Sequence, residues 1–402
     1  MRLKEICDYI SRGTTPDYVD DSPYKVMNQA TFSKGWLDES NIRYTSKNAS
    51  EAQIKKGDLL VASTGGGVLG KVFFFDSDDT SFYADSHVSI LRNSKGKNMM
   101  KYLYYVFSIK YDEINATMVK GSTNQTELQR NYLLAYEIDI PSLSKQQRIV
   151  DYLDAKLGKI DARIAILEKQ QDAYARLKRS VIHHAVTRGL NPNASLKDSG
   201  VKWIGLIPEH WELQRFKSIF TECKSVTETG QEDLLSVSEY YGVARRIDKM
   251  EDGEYESRAD SLVGYKVCKK NDLVINIMLA WKRGLGFSDF DGIVSPAYAV
   301  YRGKNIAPHY FHYLMRTDMY VAEYKRNSKG IIDSRLRMYT DRFNNIMAIV
   351  PPLSEQQAIA AYLDEKCSKI DAATENIGKQ IDALKRLKRA LINEVVTGQR
   401  AV

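Results

Sequence analysis

An internal repeat constrains this chain more than any other feature of its 402 residues. Residues 141–187 and 351–397 align at a fixed offset of 210 without a gap, and 25 of the 47 paired positions are identical. Both copies begin Pro-x-Leu-Ser-x-Gln-Gln and continue to Arg-Leu-Lys-Arg. Because chance does not produce such an alignment, the chain is a tandem duplication and its fold must hold two equivalent segments.

Both copies of the repeat are predicted to be long helices that pair with each other. Their seam side chains recur at alternating steps of four and three residues, which makes an apolar stripe so narrow that each helix needs a partner helix. Ser144 with Gln147, and Ser354 with Gln357, predict a capping box at each helix start. A helical hairpin that serves only folding or dimerisation is the alternative. The seam residues are Leu153, Leu157, Ile160, Ile164, Leu167, Gln171 and Tyr174 in the first copy, and Leu363, Cys367, Ile370, Thr374, Ile377, Ile381 and Leu384 in the second.

The segments that precede the two helices are predicted to be globular modules of mixed α/β structure. Their patterns predict strands at 58–63, 71–75, 87–91, 272–278 and 297–301, and helices at 99–109 and 310–325. A stretch rich in Asn, Gly, Ser and Pro before the second module indicates a linker. The chain is divided on this basis into two modules, 1–140 and 211–350, two helical segments, 141–190 and 351–402, and a linker, 191–210.

Composition limits the compartment and the partners. The net charge of +7 permits a nucleic-acid partner, although a solvated basic surface explains it equally well. The four cysteines, Cys7, Cys223, Cys268 and Cys367, lie far apart, which argues against a zinc ribbon or a disulfide scaffold and fits a reducing cytosol. No run of about 18 uncharged apolar residues occurs, so we expect a soluble intracellular protein without a membrane span.

The motifs of common enzymes are absent or incomplete, and we expect neither a catalytic residue nor a metal site. Gly65–Lys71 nearly matches the phosphate-binding P-loop, but Val72 replaces the hydroxyl that would hold Mg²⁺. The strand-like Phe73–Phe75 follows where a P-loop requires a helix. We therefore interpret 65–71 as a glycine turn between strands, and an enzyme that uses this turn is the rival hypothesis.

Polar, basic and aromatic residues in predicted loops are the remaining candidates for a binding site. Asn and Gln can form two hydrogen bonds with adenine, Arg with guanine, and Lys or Thr can contact phosphates. Polar loops are also an ordinary protein surface, so both interpretations stay open. The candidates are Arg12, Thr14, Thr15, Asn28, Gln29, Lys34, Ser63, Thr64, Lys71, Lys120, Ser122, Thr123, Asn124 and Gln125 in the first module, and Ser238, Tyr240, Tyr241, Arg245, Arg246, Asn276, Trp281, Lys282, Arg283, Arg326, Lys329, Arg335 and Arg337 in the second.

Several motifs together resemble one known family, the specificity subunits of Type I restriction-modification systems. The resemblance covers nearly the whole chain, although the first module begins at Met1-Arg-Leu-Lys without the Gly-Val-Lys-Trp lead-in of the second. The motifs are Pro141–Gln147 with Tyr152–Asp154, their copies within 351–364, Lys56–Leu60, the lead-in Ser199–Trp211, Leu234–Ser238 and Gly292–Tyr298.

The resemblance implies an α+β fold, a pseudo-twofold tandem repeat in which two target-recognition domains are joined by an antiparallel coiled coil. It implies a non-catalytic subunit whose two domains each bind one half of a bipartite site in double-stranded DNA, while the coiled coil sets their spacing. Two methyltransferase (modification) subunits and restriction/translocase subunits are the implied partners. S-adenosylmethionine, ATP and Mg²⁺ would belong to those partners, with no cofactor in this chain. The implied outcome is adenine-N6 methylation in the cytoplasm of a bacterium or archaeon. A coiled-coil scaffold that contacts only proteins is the alternative.

Overall fold

The computed structural model describes residues 1–46, 49–94, 96–120, 126–249 and 261–402, and the chain forms two compact units. The first unit comprises Met1–Glu168 and Gly378–Val402, and the second comprises Lys169–Ile377. Each unit therefore consists of one globular module together with part of each long helix.

The first unit combines short helices with two four-stranded sheets. One sheet has the strand order β1-β8-β5-β6 and is antiparallel throughout, and the other has the order β2-β4-β3-β7 with β3 and β7 parallel. The elements are α1 (Leu3–Ile6), β1 (Tyr9–Arg12), β2 (Tyr18–Val19), β3 (Lys25–Met27), α2 (Gln29–Phe32), β4 (Arg43–Thr45), β5 (Leu59–Ala62), β6 (Val72–Phe74), β7 (Phe82–Ala84), β8 (Val88–Arg92), α3 (Lys97–Ser108), α4 (Tyr111–Thr117), β9 (Val119–Lys120), β10 (Glu127–Leu128) and α5 (Arg130–Ala135), followed by the long helix α6 (Leu143–Arg188), which continues into the second unit.

The second unit contains a four-stranded antiparallel sheet whose strand order matches that of the first unit. Its order is β14-β21-β18-β19, so each strand occupies the place of β1, β8, β5 or β6. The elements are β11 (Leu196–Asp198), β12 (Leu206–Pro208), β13 (Glu212–Arg215), α7 (Phe216–Ile219), β14 (Phe220–Cys223), β15 (Leu235–Ser238), β16 (Gly242–Arg245), β17 (Lys266–Cys268), β18 (Leu273–Asn276), β19 (Leu285–Phe287), β20 (Gly292–Val294), β21 (Tyr298–Gly303), α8 (Pro308–Met315), α9 (Asp318–Asn327), α10 (Thr340–Phe343) and β22 (Met347–Val350), followed by the long helix α11 (Leu353–Val396), which continues into the first unit.

An ion pair formed by a buried aspartate occupies the same place in both of these equivalent sheets. Asp58, at the start of β5, accepts two hydrogen bonds of 2.7 Å from the guanidinium group of Arg92 on β8. Asp272, at the start of β18, accepts two of 2.9 Å from Arg302 on β21. Both carboxylates also accept a hydrogen bond from the backbone amide three residues earlier, so each accepts three hydrogen bonds in all.

The turn that leads into this aspartate needs a backbone conformation that few residues adopt. Gly57 and Asn271 precede the two aspartates with φ values of 93° and 69°. Glycine and asparagine are the residues that tolerate the left-handed region best. Residues 55–60, Lys-Lys-Gly-Asp-Leu-Leu, resemble residues 269–274, Lys-Lys-Asn-Asp-Leu-Val, and the shared turn and ion pair explain this similarity.

The two long helices pair antiparallel within each unit. In the first unit Leu153 and Leu157 pack in the same core as Leu391 and Val395. In the second, Gln171 Nε2 donates to the Thr374 carbonyl at 3.4 Å. The seam positions predicted from the repeat are buried or half-buried along both helices. The sequence periodicity therefore identified the faces that the helices bury.

The cross-helix ion pairs use the same repeat positions in each unit. In the first unit Lys388 Nζ lies 2.7 Å from each oxygen of Asp161. In the second, Lys178 Nζ lies 2.7 Å from each oxygen of Asp371. Lys178 and Lys388, like Asp161 and Asp371, are related by the offset of 210, so the duplication extends to the pairing contacts.

The aspartate of the Tyr-Leu-Asp motif in each repeat bonds the long helix to a helix of the adjoining module. Asp154 accepts a hydrogen bond from the Tyr105 hydroxyl and forms an ion pair of 2.7 Å with Lys101, both on α3. Asp364 accepts a hydrogen bond of 2.8 Å from the Tyr313 hydroxyl on α8. The repeated aspartate therefore serves the packing of helix against module.

Two local expectations differ from the structure. The segment predicted to be a linker contains the antiparallel hairpin β11–β12, and its Ile204 and Ile207 join the core of the second unit. The helix predicted at 310–325 is interrupted between α8 and α9, where the Thr317 hydroxyl donates to the Leu314 carbonyl at 2.8 Å. The helical pattern of apolar residues continues from α8 into α9, so the sequence did not reveal the interruption between them.

Candidate nucleic-acid interface

Loops from several strands of the first unit meet at one end of its sheet, which we name the first loop edge. The Ser63 amide donates to the His87 carbonyl at 2.8 Å, and the Leu128 amide donates to the Ser63 carbonyl at 2.8 Å. The Thr14 amide donates to the Ala84 carbonyl at 3.2 Å. The first loop edge comprises Arg12, Thr14, Asn28, Gln29, Ser63, Thr64, Asp85, His87 and Glu127.

The side chains of this edge hold one another in place. The Arg12 guanidinium group pairs with Glu127 and donates to the Ser63 carbonyl at 3.2 Å. Thr64 Oγ1 and His87 Nδ1 lie 2.7 Å apart. Arg12, Ser63 and Thr64, which the sequence predicted as contacts, are thus gathered at one site and positioned by residues from other loops.

The side chains of Asn28, Gln29 and Asp85 differ in whether their polar atoms are hydrogen-bonded or buried. Asn28 Oδ1 accepts hydrogen bonds from the Ala30 and Thr31 amides, so its carbonyl oxygen caps α2. Gln29 is half-buried, and its Oε1 has no hydrogen-bond partner among the described residues. Asp85 is buried, and burial raises the pKa of its carboxyl group. Because the unpaired Gln29 Oε1 is itself a buried atom, it is not exposed to a ligand in this structure.

The other first-module candidates lie elsewhere or are more enclosed. The Ser63 hydroxyl is buried 2.6 Å from the Ser89 hydroxyl, whereas Thr15 is exposed beside Thr14. Lys120 belongs to β9, which pairs with β10. Ser122, Thr123, Asn124 and Gln125 lie outside the described residues.

Lys34 and Lys71 line a separate groove of the first unit with a volume of about 1120 Å³. Lys385 and Arg389 of α11 and the exposed Trp36 line it as well. Lys34 forms an ion pair of 2.8 Å with Asp38 and lowers the pKa of that carboxyl group to about 2. The glycine turn 65–71 contributes to this groove and connects β5 to β6, two antiparallel strands, as Phe73–Phe75 indicated.

The corresponding end of the second unit is the second loop edge, and two exposed tyrosines project from it. Tyr240 and Tyr241 occupy the turn between β15 and β16, and Tyr240 is 84% exposed. Ser238 Oγ accepts a hydrogen bond of 3.1 Å from the Tyr240 amide and so shapes the turn. The second loop edge comprises Ser238, Tyr240, Tyr241, Asn276, Trp281, Lys282, Arg283, Arg316, Lys325, Arg326, Lys329, Arg335 and Arg337.

Arg316, which the sequence did not single out, joins two loops of this edge. Its guanidinium group donates to the carbonyls of Arg283 and Leu285, each at 2.7 Å, and to those of Glu239 and Tyr240, at 2.7 and 3.1 Å. Burial, with Arg283 nearby, lowers the pKa of Arg316 to about 10, so the group stays charged near neutral pH. The charged guanidinium group of Arg316 therefore holds the backbone of the turn that carries Tyr240.

Basic side chains cover the rest of the second loop edge. Lys282 and Lys325 lie 5.0 and 5.1 Å from the ring centre of Trp281, whose Nε1 donates to the Met278 carbonyl at 3.0 Å. Asn276 is buried, and its Oδ1 accepts from the Met278 amide at 3.1 Å, so it forms the turn after β18. The Trp281 ring thus contacts two lysine ammonium groups, whereas the side-chain oxygen of Asn276 is used in the turn.

The remaining arginines differ in how firmly they are paired. Arg283 pairs with Asp318, and Arg326 pairs with Glu323 at 2.8 Å. Arg245 lies outside the edge, where it pairs with Asp233 at 3.2 Å and stacks 4.7 Å from the ring centre of Phe290. Arg246 follows it and is half-buried, while Lys329, Arg335 and Arg337 belong to the loop after α9.

The environment of His312 on α8 predicts a pH dependence of stability. Burial, with Arg316 and His309 nearby, lowers the pKa of His312 from 6.5 to about 3. Between these values the unfolded chain binds a proton that the folded chain does not, so stability is lost as the pH falls below 6.5. We expect this residue to contribute a loss of about 1.4 kcal/mol per pH unit. Urea unfolding of wild type and His312→Gln at about pH 7, 6 and 5 measures it. Equal pH slopes in the two proteins would contradict the assignment.

The described residues contain neither a candidate metal site nor a candidate membrane span. No group of three or more His, Cys, Asp or Glu side chains that could hold a metal ion occurs in the described part of the chain. Within the same residues no helix is both long and apolar enough to cross a membrane.

Comparisons with known proteins point to one family. A family model of the Type I restriction modification DNA specificity domain matches residues 1–173. The Type I restriction enzyme MjaVIII specificity subunit of Methanocaldococcus jannaschii is 22% identical over 330 residues, which cover 77% of this chain and 73% of that protein. The EcoBI specificity subunit of Escherichia coli is 22% identical over 321 residues, which cover 74% and 65%.

Solved structures share the fold. A chain from a type I R-M system, solved to explain its complex assembly and conformational transition, matches with a TM-score of 0.67 and 14% identity over 98% of this chain and 96% of that chain. The HsdS subunit from Thermoanaerobacter tengcongensis matches with a TM-score of 0.50 and 16% identity over 100% and 96%. The duplicated sheet, the paired helices and the matched sequences agree, and the chain is similar to Type I restriction-modification DNA specificity subunits, whose family model matches its residues 1–173.

Proposed function

We propose that each unit of this non-catalytic specificity subunit binds one half of a bipartite site in double-stranded DNA. The observation that carries the proposal is the repetition of one sheet with two chemically different loop edges. The first loop edge offers neutral polar side chains such as the half-buried Thr14 and Thr64, and the second offers exposed tyrosines and cations. Base contacts specify sequence, whereas phosphate contacts fix position. Two equivalent sheets with different loop edges would therefore bind two different half-sites.

The assembly that we propose contains two methyltransferase subunits and, for cleavage, restriction/translocase subunits. S-adenosylmethionine, ATP and Mg²⁺ would be bound by those subunits, and adenine-N6 methylation of a flipped base would take place in the methyltransferase. The complex would act in the cytoplasm of a bacterium or archaeon. The paired helices support this proposal because their outer faces carry many exposed charged side chains that a partner can contact.

Methylome sequencing of cells that express the chain with its methyltransferase tests the proposal first, and one bipartite methylated motif is expected. Binding of the purified complex to that motif should then weaken steeply with salt. Replacing Lys329 and Arg335 with Ala should lower the slope of log K against log salt by about 2, because each phosphate contact contributes about 1. Lys202→Ala, an exposed lysine of the second-unit lead-in, is the matched control. A complex that assembles but protects no sequence would favour the protein scaffold.

A further inference from the structure

Two adjacent isoleucines stand exposed on the second loop edge. Ile331 is 99% exposed and Ile332 is 53% exposed, in the loop between α9 and α10. A single exposed aliphatic residue is common, but here two adjacent isoleucines are exposed and neither belongs to the hydrophobic core of the second unit. Their exposure therefore points to a partner that covers them.

The loop is held firmly at its neck. The Lys329 and Arg337 amides each donate to the other residue's carbonyl at 2.9 Å, which closes the loop. Met338 is buried, and its amide donates to the Ile277 carbonyl at 2.8 Å. A Cβ atom on Gly330 would lie 2.6 Å from the Arg335 carbonyl oxygen, so the close approach requires glycine. The two isoleucines are thus presented from a fixed base.

The charge around the tip indicates what covers it. Asp333 in the loop is paired with Lys325 at 2.8 Å, and Glu323 is paired with Arg326, so these two acidic groups and these two cations offset each other. Three further basic residues, Lys329, Arg335 and Arg337, belong to the loop itself, and Lys282 shares the Trp281 ring with Lys325. Two exposed isoleucines among basic side chains are complementary to a DNA duplex, because a duplex has an anionic backbone and an apolar stack of bases.

The loop also lies at the end of the second unit that corresponds to the first loop edge. Ile277 directly follows β18, and in the first unit Ser63 directly follows the equivalent strand β5. The Ser63 carbonyl accepts from the Leu128 amide at 2.8 Å, as the Ile277 carbonyl accepts from Met338. The β9–β10 segment of the first unit and the 329–338 loop of the second are therefore equivalent, and both adjoin a loop edge.

We propose that Ile331 and Ile332 insert as a wedge between stacked base pairs of the half-site bound by the second unit. The wedge enters between the two base pairs while the neighbouring cations hold the flanking phosphates, and the step that it opens is kinked. Because pyrimidine–purine steps unstack most readily, the wedge adds sequence preference without a base-edge hydrogen bond. This inference rests on the proposed function and extends it to the chemistry of one loop.

The test uses the complex with its methyltransferase and a duplex that carries the methylated motif. 2-Aminopurine, which fluoresces when it is unstacked, replaces single bases along the second half-site and spacer, but never the methylated adenines. Wild type should raise the fluorescence at one step. Ile331→Ser with Ile332→Ser should abolish that rise and weaken binding on the order of tenfold, with an unchanged salt slope because no charge is lost. Ile331→Leu with Ile332→Leu should keep the rise, and Leu196→Ser, an exposed aliphatic residue of β11, should leave both measurements unchanged.

Each contrary result has its own meaning. A serine double variant that binds and unstacks DNA like wild type overturns the wedge and leaves the proposed function intact. A double variant that loses the methyltransferase during purification shows that the isoleucines contact protein, and this also overturns the wedge. A wild-type complex that binds no preferred sequence overturns the wedge and the proposed function together.

Discussion

Leu363→Asp is expected to unfold most of the second unit. Leu363 is fully buried in the core that contains Val186 from α6 and Tyr310, Phe311 and Leu314 from α8. Removing a buried leucine side chain costs about 2–5 kcal/mol, and burying an unpaired carboxylate adds several more. Since a domain has a total stability of about 5–15 kcal/mol, the variant should retain little or none.

Tryptophan fluorescence during urea unfolding measures this effect. Three of the four tryptophans, Trp203, Trp211 and Trp281, lie in the second unit, so emission reports mainly on that unit. Leu363→Met, which conserves volume, should cost less than about 1.5 kcal/mol. A cooperative transition of Leu363→Asp within 1 kcal/mol of that control, roughly the scatter of such measurements, would contradict the packing described here.

The repeat predicted the parts of the fold that depend on local pattern. The steps of three and four residues identified the buried faces of α6 and α11, because a side chain's position on a helix follows from its number alone. The strands β5, β6, β8, β18 and β21 also lie within the predicted segments or one or two residues beyond them. The helix caps were predicted less well: Gln146 and Gln356 donate to the carbonyls of Pro141 and Pro351, whereas Gln147 donates to Asp151.

The candidate interface was harder to predict because it depends on contacts between distant segments. Asp85, His87 and Arg316 were missed, since their roles arise only when separate loops meet. Asn28 and Asn276 were included because asparagine can bond adenine, yet their side-chain oxygens cap a helix and a turn. The same residue types serve both purposes, and sequence alone does not distinguish them. Polar residues between β7 and β8 were the available signal for Asp85 and His87.

Arg316→Ala is expected to destabilise the second unit and to impair one half-site. The substitution removes a donor from four backbone carbonyls, of which the Arg283 carbonyl keeps the Leu285 amide at 2.8 Å while those of Glu239 and Leu285 lose a partner in a part-buried site. Unpaired buried acceptors cost about 1–3 kcal/mol each, partly relieved by water, so we expect a loss of about 3–5 kcal/mol in urea unfolding. Arg215→Ala, an exposed arginine at the end of β13, should change stability by less than about 0.5 kcal/mol.

The functional effect of Arg316 separates a positioning role from simple stabilisation. Its guanidinium group ties the Tyr240 turn to the 283–285 turn, so its loss should displace the exposed tyrosines while the first loop edge keeps its own contacts. Arg316→Lys keeps the charge but cannot fork to four carbonyls, because an ammonium group has three donors in a compact arrangement. We therefore expect Arg316→Lys to recover part of the stability and little of the sequence preference at the second half-site, measured as methylation of duplexes substituted in one half at a time. If Arg316→Lys recovers stability and half-site preference in equal measure, Arg316 serves the fold alone and the Tyr240 turn does not depend on its fork.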